Sequence, residues 1–233
     1  MKTQLIATIM LTAAVSQANE LTWQNQGVDA VITGGECIYN SGLDYNAVSF
    51  GHTADEGANL VINGVIFYAA GIRGDGFTAT SGITIRQSFT DGTACDTSSE
   101  QGTFSKLDPQ FQAILGTDTY REKTKHYEIS GLVEGQVYAI QIFVNNSSAS
   151  ASGEEQTVVN LVKGFPGQAG SAKANVAGTP GGLGSYLHGT FVAVKGVHEF
   201  TAGKRQHVNA INIQAVPKKD LGDAVASYTY TTK

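Results

Sequence analysis

Apolar and polar residues alternate with a period of two along several stretches, the pattern of strands that bury one face. In residues 136–144, Tyr138, Ile140, Ile142 and Val144 fall on one side. Just upstream, Tyr127 and Ile129 alternate with His126, Glu128 and Ser130, and towards the C-terminus Ile211, Ile213 and Ala215 alternate with Asn212 and Gln214. Residues 28–33, 47–50, 83–89, 157–162 and 186–195 are further strand candidates. Residues 60–69 read LVINGVIFYA. Asn63-Gly64 between two apolar runs predicts a hairpin with a type I′ turn, since both residues accept positive φ, with a bulge at Gly64 as the alternative. One patch has a helical period instead. Asp108 is an N-cap before Pro109, Phe111, Ile114 and Leu115 share a face, and Gly116 ends the run. It predicts one or two turns covering an end of the fold.

Residues 147–153 and 165–184 are rich in Gly, Ser and Ala and poor in apolar residues, and read as long loops within one domain. About nine strands with irregular connections and one short helix predict an all-β fold, a two-sheet antiparallel β-sandwich of the jelly-roll kind. Within it, Leu132-x-x-Gly135-x-x-Tyr138 resembles the tyrosine corner of sandwich proteins, which gives Tyr138 a structural role.

The N-terminus follows a different rule. Met1-Lys2 is a short basic region, residues 5–14 are apolar, and Ser16-Gln17-Ala18 sets small residues before a cleavage point after Ala18. The expected organisation is a signal peptide over 1–18, a β-sandwich over 19–217, and a polar tail or last edge strand over 218–233. The expected location is outside the cytoplasm: secreted, periplasmic or cell-surface. No later segment approaches the ~18 apolar residues of a membrane helix, so no membrane insertion is expected.

Composition narrows the class. Charged residues are only 15%, against about 25% in typical domains, and there are 28 glycines. This suits an extracellular, turn-rich β protein. The net charge of −5 and the lack of a basic stripe argue against nucleic acid as a partner. The densest basic stretch, residues 121–125, reads as a solvated face. Cys37 and Cys95 in an oxidising compartment read as one structural disulfide. Two buried thiols or half of a metal site are the alternatives.

Catalytic and cofactor signatures are missing from the sequence. It has no GxSxG, HExxH, Walker or EF-hand pattern, and Gly71-x-x-Gly74-x-Gly76 lacks the strand and helix of a dinucleotide site. No cofactor, metal or catalytic residue is assigned. His188 and His198-Glu199 are expected on neighbouring strands, the one arrangement among the histidines that offers acid–base or metal chemistry. Asp-Gly at residues 75–76 and 91–92 is explained by turns, and Glu154-Glu155 by a solvated loop, with calcium ligation as the alternative.

Three segments, FQAILGTDTY (111–120), ISGLVEGQVYAIQIFVNN (129–146) and GGLGSYLHGTFVAV (181–194) followed by VNAINIQAV (208–216), resemble exported bacterial jelly-roll domains of the galactose-binding type. The resemblance covers about half the mature chain. It implies a non-catalytic, extracellular module with carbohydrate as the commonest partner, and transfers no catalytic residue. Where such domains would carry an acidic or arginine residue after the Phe143 strand, this chain has Asn145-Asn146-Ser147-Ser148. Asn145 also opens a glycosylation sequon. Sugar-binding sandwiches lay aromatic rings against pyranose faces. The candidates here are Tyr186, beside a glycine-rich loop, then Tyr120, Tyr68 and Trp23. The leading expectation is thus a secreted module binding a polysaccharide or cell-surface glycan. A self-assembling adhesion protein and a polysaccharide hydrolase or lyase are the alternatives, the last requiring two carboxylates converging in one groove.

Overall fold

Period-two burial produces two stacked sheets. The computed structural model describes residues 21–25, 30–51, 59–70, 76–148, 156–165 and 167–217. The expected leader and tail lie outside these residues, as do Gly71, Gly74, Asp75 and Glu154-Glu155. Seven strands form one sheet in the order β1 (Thr22–Asn25), β13 (Ser185–Val192), β10 (Val137–Val144), β15 (Ala210–Ala215), β2 (Tyr45–Ser49), β4 (Val65–Ala69) and β3 (Leu60–Ile62). Six form the other: β12 (Gly170–Lys173), β11 (Gln156–Lys163), β14 (His198–Ala202), β9 (Lys125–Ser130), β6 (Thr84–Gln87) and β5 (Gly76–Thr78). β7 (Thr93–Asp96) and β8 (Thr117–Tyr120) pair apart from both. The pairings are antiparallel except β2 with β4, which is parallel and departs from the expected pattern.

The alternating apolar residues meet between the sheets. Tyr138, Ile140, Ile142, Val144, Ile211 and Ile213 face Tyr127, Ile129, Val159 and Phe200. Tyr127 stacks on Phe200 with ring centres 4.9 Å apart. The opposite face of the seven-stranded sheet is covered as well. Phe143, Ala210, Ala47 and Phe67 pack under Phe111, Ile114 and Leu115 of α1 (Pro109–Leu115). The helix forms as its sequence requires, Asp108 accepting the Gln110 N–H at 2.9 Å. It lies on this outer sheet face, where the sequence suggested an end of the sandwich. All eight residues of β10 are consequently buried.

Where the helix does not reach, residues 37–41 cover the outer face, and their peptide groups need partners. Gln141 accepts the Tyr39 N–H at 2.7 Å and donates to the Cys37 carbonyl at 2.8 Å. Gln214 accepts the Ser41 N–H at 2.6 Å and donates to the Tyr39 carbonyl at 2.6 Å, and Asn212 donates to Gln141 at 3.0 Å.

The short-range signals also hold. Asn63 and Gly64 adopt φ of 50° and 75° between β3 and β4, the I′ geometry. Residues 28–33 form no strand in their described part, contributing only an isolated bridge at Val31. The edge strands β1, β3, β5 and β12 are each three or four residues long, and the Val61 N–H of β3 is taken by Gln110 of α1 at 2.7 Å. The corner at Leu132 to Tyr138 closes as read: Gly135 has φ of 79°, and the Val133 N–H donates to the Tyr138 hydroxyl at 3.1 Å. Tyr138→Phe should therefore cost about 1 kcal/mol. Chemical denaturation should show a lower midpoint with an unchanged m-value.

Candidate functional site

At one end of the sandwich β2 and β4 begin, β15 ends and residues 79–83 link β5 to β6. There the two sheets leave a groove of about 590 Å³, lined by Leu43, Asp44, Tyr45, Ile66, Tyr68, Ala79, Thr80, Ser81 and Gln136. Its walls are tied across the sheets. Asn46 donates to the carbonyls of Phe77 and Ile83 at 2.8 and 2.9 Å, and the Ser81 hydroxyl donates to the Tyr45 carbonyl at 3.3 Å. The Tyr45 hydroxyl accepts the Ile66 N–H at 3.2 Å. Tyr68 pairs in register with Val48 of the inner core, which points its ring between the sheets. There it stacks on Phe77 with centres 3.6 Å apart and planes 11° off parallel. Phe77 fixes one face of this half-buried ring at the groove wall. Asp44, Thr80, Ser81 and Gln136 complete the lining with it, the Gln136 NH₂ donating to the Val137 and Val216 carbonyls at 3.0 and 3.4 Å.

The other three aromatic candidates lie elsewhere. Trp23 pairs with Gly189 at the far edge of the seven-stranded sheet and donates its indole N–H to the Gln168 carbonyl at 3.0 Å. Four strands separate β1 from β4, so Trp23 and Tyr68 are roughly 24 Å apart across the sheet. Tyr186 sits one strand from Trp23 but on the opposite face, stacked on Phe143 at 5.7 Å. Tyr120 on β8 donates to Glu122, which Arg205 grips at 2.7 to 3.0 Å. Arg205 and the Tyr120 hydroxyl hold the Glu122 carboxyl down at about 2, and bonding to Glu122 raises the Tyr120 phenol. Of the four, Tyr68 alone lines the groove.

Other expectations are corrected. Cys37 and Cys95 are not bridged. Cys37 closes the short helical turn Gly35–Cys37 against the helix-covered core, and burial pushes its thiol up to about 12. Cys95 lies opposite Asp118 in the β7–β8 ladder, its thiol turned to the Asp96 carbonyl at 3.7 Å. His188 and His198 are not on neighbouring strands: β13 and β14 belong to different sheets. His188 packs on Tyr39 at 5.5 Å, and His198 on Phe165 and Phe191 at 5.1 and 5.5 Å. No group of three or more His, Cys, Asp and Glu residues able to hold a metal occurs among the described residues. Asn145 is fully buried, donating to the Thr97 and Leu115 carbonyls and accepting the Gly184 N–H at 3.0 Å. Its sequon is therefore inaccessible once the chain folds.

The basic stretch at 121–125 is solvated over Glu122, Lys123 and Thr124 but not at its two ends. Arg121 lies over Phe89 at 4.7 Å and pairs with Asp91. The Lys125 side chain is 1% exposed, with its ammonium 2.7 Å from Asp118, itself fully buried. His207 Nδ1 reaches the same carboxylate oxygen at 3.2 Å, and its Nε2 meets the Asn146 amide at 3.2 Å. Burial raises the Asp118 carboxyl, but the Lys125 charge and the His207 bond outweigh it and leave it below its ordinary value. The sequence carried the signal for Lys125. It shares the period-two face of Tyr127 and Ile129, which points inward.

A pair of carboxylates does meet on the open face of the six-stranded sheet, where Glu128 and Glu199 are direct cross-strand partners. They border a groove of about 580 Å³ with Ser88, Arg121, Lys123, Thr124 and His126. Arg86 holds Glu128 at 2.6 Å, and Lys163 stands 3.7 Å from Glu199.

The unbridged cysteines and the buried His198 each give a prediction. Denatured without reductant, the chain should titrate two thiols with a colorimetric disulfide reagent. For His198, burial lowers the imidazole to about 4, and its Nε2 accepts the Val194 N–H at 3.3 Å, a bond that protonation breaks. Between about pH 6.5 and 4 the unfolded chain binds the extra proton and the folded chain does not, so stability falls as pH falls through that window. His198→Phe should flatten that slope in urea titrations taken across it. The chain matches no protein-family model, no curated protein and no solved structure, so of the resemblance to galactose-binding-like domains only a β-rich, sandwich-like fold is borne out.

Proposed function

We propose that this chain is an exported, non-catalytic sandwich module that binds carbohydrate in the groove at the end of the two sheets. The observation that carries this reading is the Tyr68 ring, held rigid on Phe77 and bordered by Asp44, Thr80, Ser81 and Gln136. A sugar ring presents an apolar C–H face and a rim of hydroxyls. A fixed aromatic face matches the first, and carboxylate, hydroxyl and amide groups match the second. Pre-forming the ring's orientation spares the ordering cost that a mobile side chain would add on binding. The apolar N-terminal run and the low charge support export. The short edge strands, one of them covered by Gln110, give little to a reading based on strand-to-strand assembly.

A glycan array followed by titration calorimetry tests the proposal. Tyr68→Ala should weaken binding about tenfold, equivalent to roughly 1.4 kcal/mol, and Asp44→Asn should weaken it less. Binding to no glycan by the folded chain, or equal affinity in Tyr68→Ala, would remove the groove as the site.

A further inference from the structure

The Lys125–Asp118–His207 cluster has a geometry that serves more than an ion pair. An ammonium and a carboxylate are 2.7 Å apart with side chains 1% and 0% exposed. Taking two charges out of water is costly, and their attraction returns that cost only when every remaining lone pair is satisfied. Here it is not. Asp118 Oδ1 is buried without a hydrogen bond, and so is the hydroxyl of Tyr127. Both contacts to Asp118, from Lys125 and from His207, fall on the other oxygen, Oδ2.

We infer that Lys125 and Asp118 condense into an intramolecular amide, joining β9 to β8 through a covalent cross-link in the core. A proton moving along the 2.7 Å contact gives a neutral amine and a neutral acid without changing the net charge. Nζ lies 2.7 Å from Oδ2, so Cγ is no more than one C–O bond farther from the nitrogen than that oxygen, within reach of a near-attack arrangement. The C–N bond forms as electrons move to Oδ1, and the Cγ–Oδ2 bond breaks. Three protons leave or stay on nitrogen: one remains as the amide N–H, and two depart with Oδ2 as water. No oxidant or co-reactant is needed.

His207 is placed to relay one of those protons. Asn146 Oδ1 accepts from the Ser148 N–H and hydroxyl at 3.3 and 2.9 Å, which leaves the Asn146 NH₂ facing His207 Nε2. Nε2 therefore accepts, and Nδ1 carries the hydrogen towards Asp118 Oδ2. It can pass that proton to the departing oxygen and take the one released by nitrogen. The dry surroundings of Tyr127, with Phe50 at 5.4 Å and Phe89 at 6.4 Å from its ring, keep out the water that would reverse the reaction.

Trypsin digestion and tandem mass spectrometry of the folded full chain decide the matter. Cleavage after Lys106, Arg121, Lys123 and Lys163 should yield a branched peptide joining residues 107–121 to 124–163, lighter than the two by one water. Lys125→Met and Asp118→Ala should yield only linear peptides, and His207→Phe should form the branch about a hundredfold more slowly. Linear peptides cut after Lys125 from aged, folded wild-type chain would overturn the cross-link, whether or not the variants fold. A branch forming at the wild-type rate in His207→Phe would overturn the relay.

Discussion

A sheet buried on both faces has no solvent to satisfy its cover, and that constraint organises this molecule. Between the sheets the answer is apolar alternation, because one pleated face meets another. On the outer face the cover is partly an irregular segment whose peptides have no ladder of their own. Gln141, Asn212 and Gln214 supply the missing ladder from three positions on β10 and β15. Replacing them with leucines would leave the Tyr39 and Ser41 groups orphaned, each at about 1–3 kcal/mol. The same contacts continue into the groove. Ser41 is fixed by Gln214, and Gly42 to Tyr45 follow directly as its rim, so the candidate site depends on polar residues buried some way from it.

Much of the fold was legible because its causes are local. Tyr138 to Val144, the Asn63-Gly64 turn, the Asp108 cap and the Leu132–Tyr138 corner each follow from spacings of a few residues, and each forms as read. The parallel β2–β4 pairing and the site of α1 were not legible. Both depend on which sheet face remained uncovered, a question settled only when distant segments met. The amide pattern in β15 illustrates the ambiguity. Asn212 and Gln214 alternate with Ile211 and Ile213 as solvent-facing residues would, yet they are buried against residues 37–41.

The candidate site was legible in one residue of four. Strand preference and proximity to glycine do not say which face of which sheet an aromatic occupies. Tyr186 and Trp23 are one strand apart and yet on opposite faces. Tyr68 earned its position from Phe77, nine residues downstream and in the other sheet. Asp44, Ser81 and Gln136 are remote in sequence, and three connections had to close before they met. Lys125 differs from these, because its parity with Tyr127 marked it as inward. A charge run normally signals solvation, and that rule masked the periodicity. Where two such signals conflict, a lysine on the apolar face of a strand implies a buried anion, and Asp118 and its histidine are what the chain provides.

The opposed Glu128 and Glu199 invite a hydrolytic reading, since direct cross-strand neighbours have Cβ atoms about 5 Å apart, near the separation of a retaining pair. Their setting favours another role. Like charges directly opposite destabilise a ladder, and Arg86 and Lys163 flank them on β6 and β11, so the four strands carry charge in the order plus, minus, minus, plus. Glu128 already gives an oxygen to Arg86. A general acid must keep its proton in a site that excludes water, and this face is the solvated surface of a sheet. The cross-strand charge ladder accounts for each of the four residues without a reaction, whereas the hydrolytic reading leaves both cations unexplained.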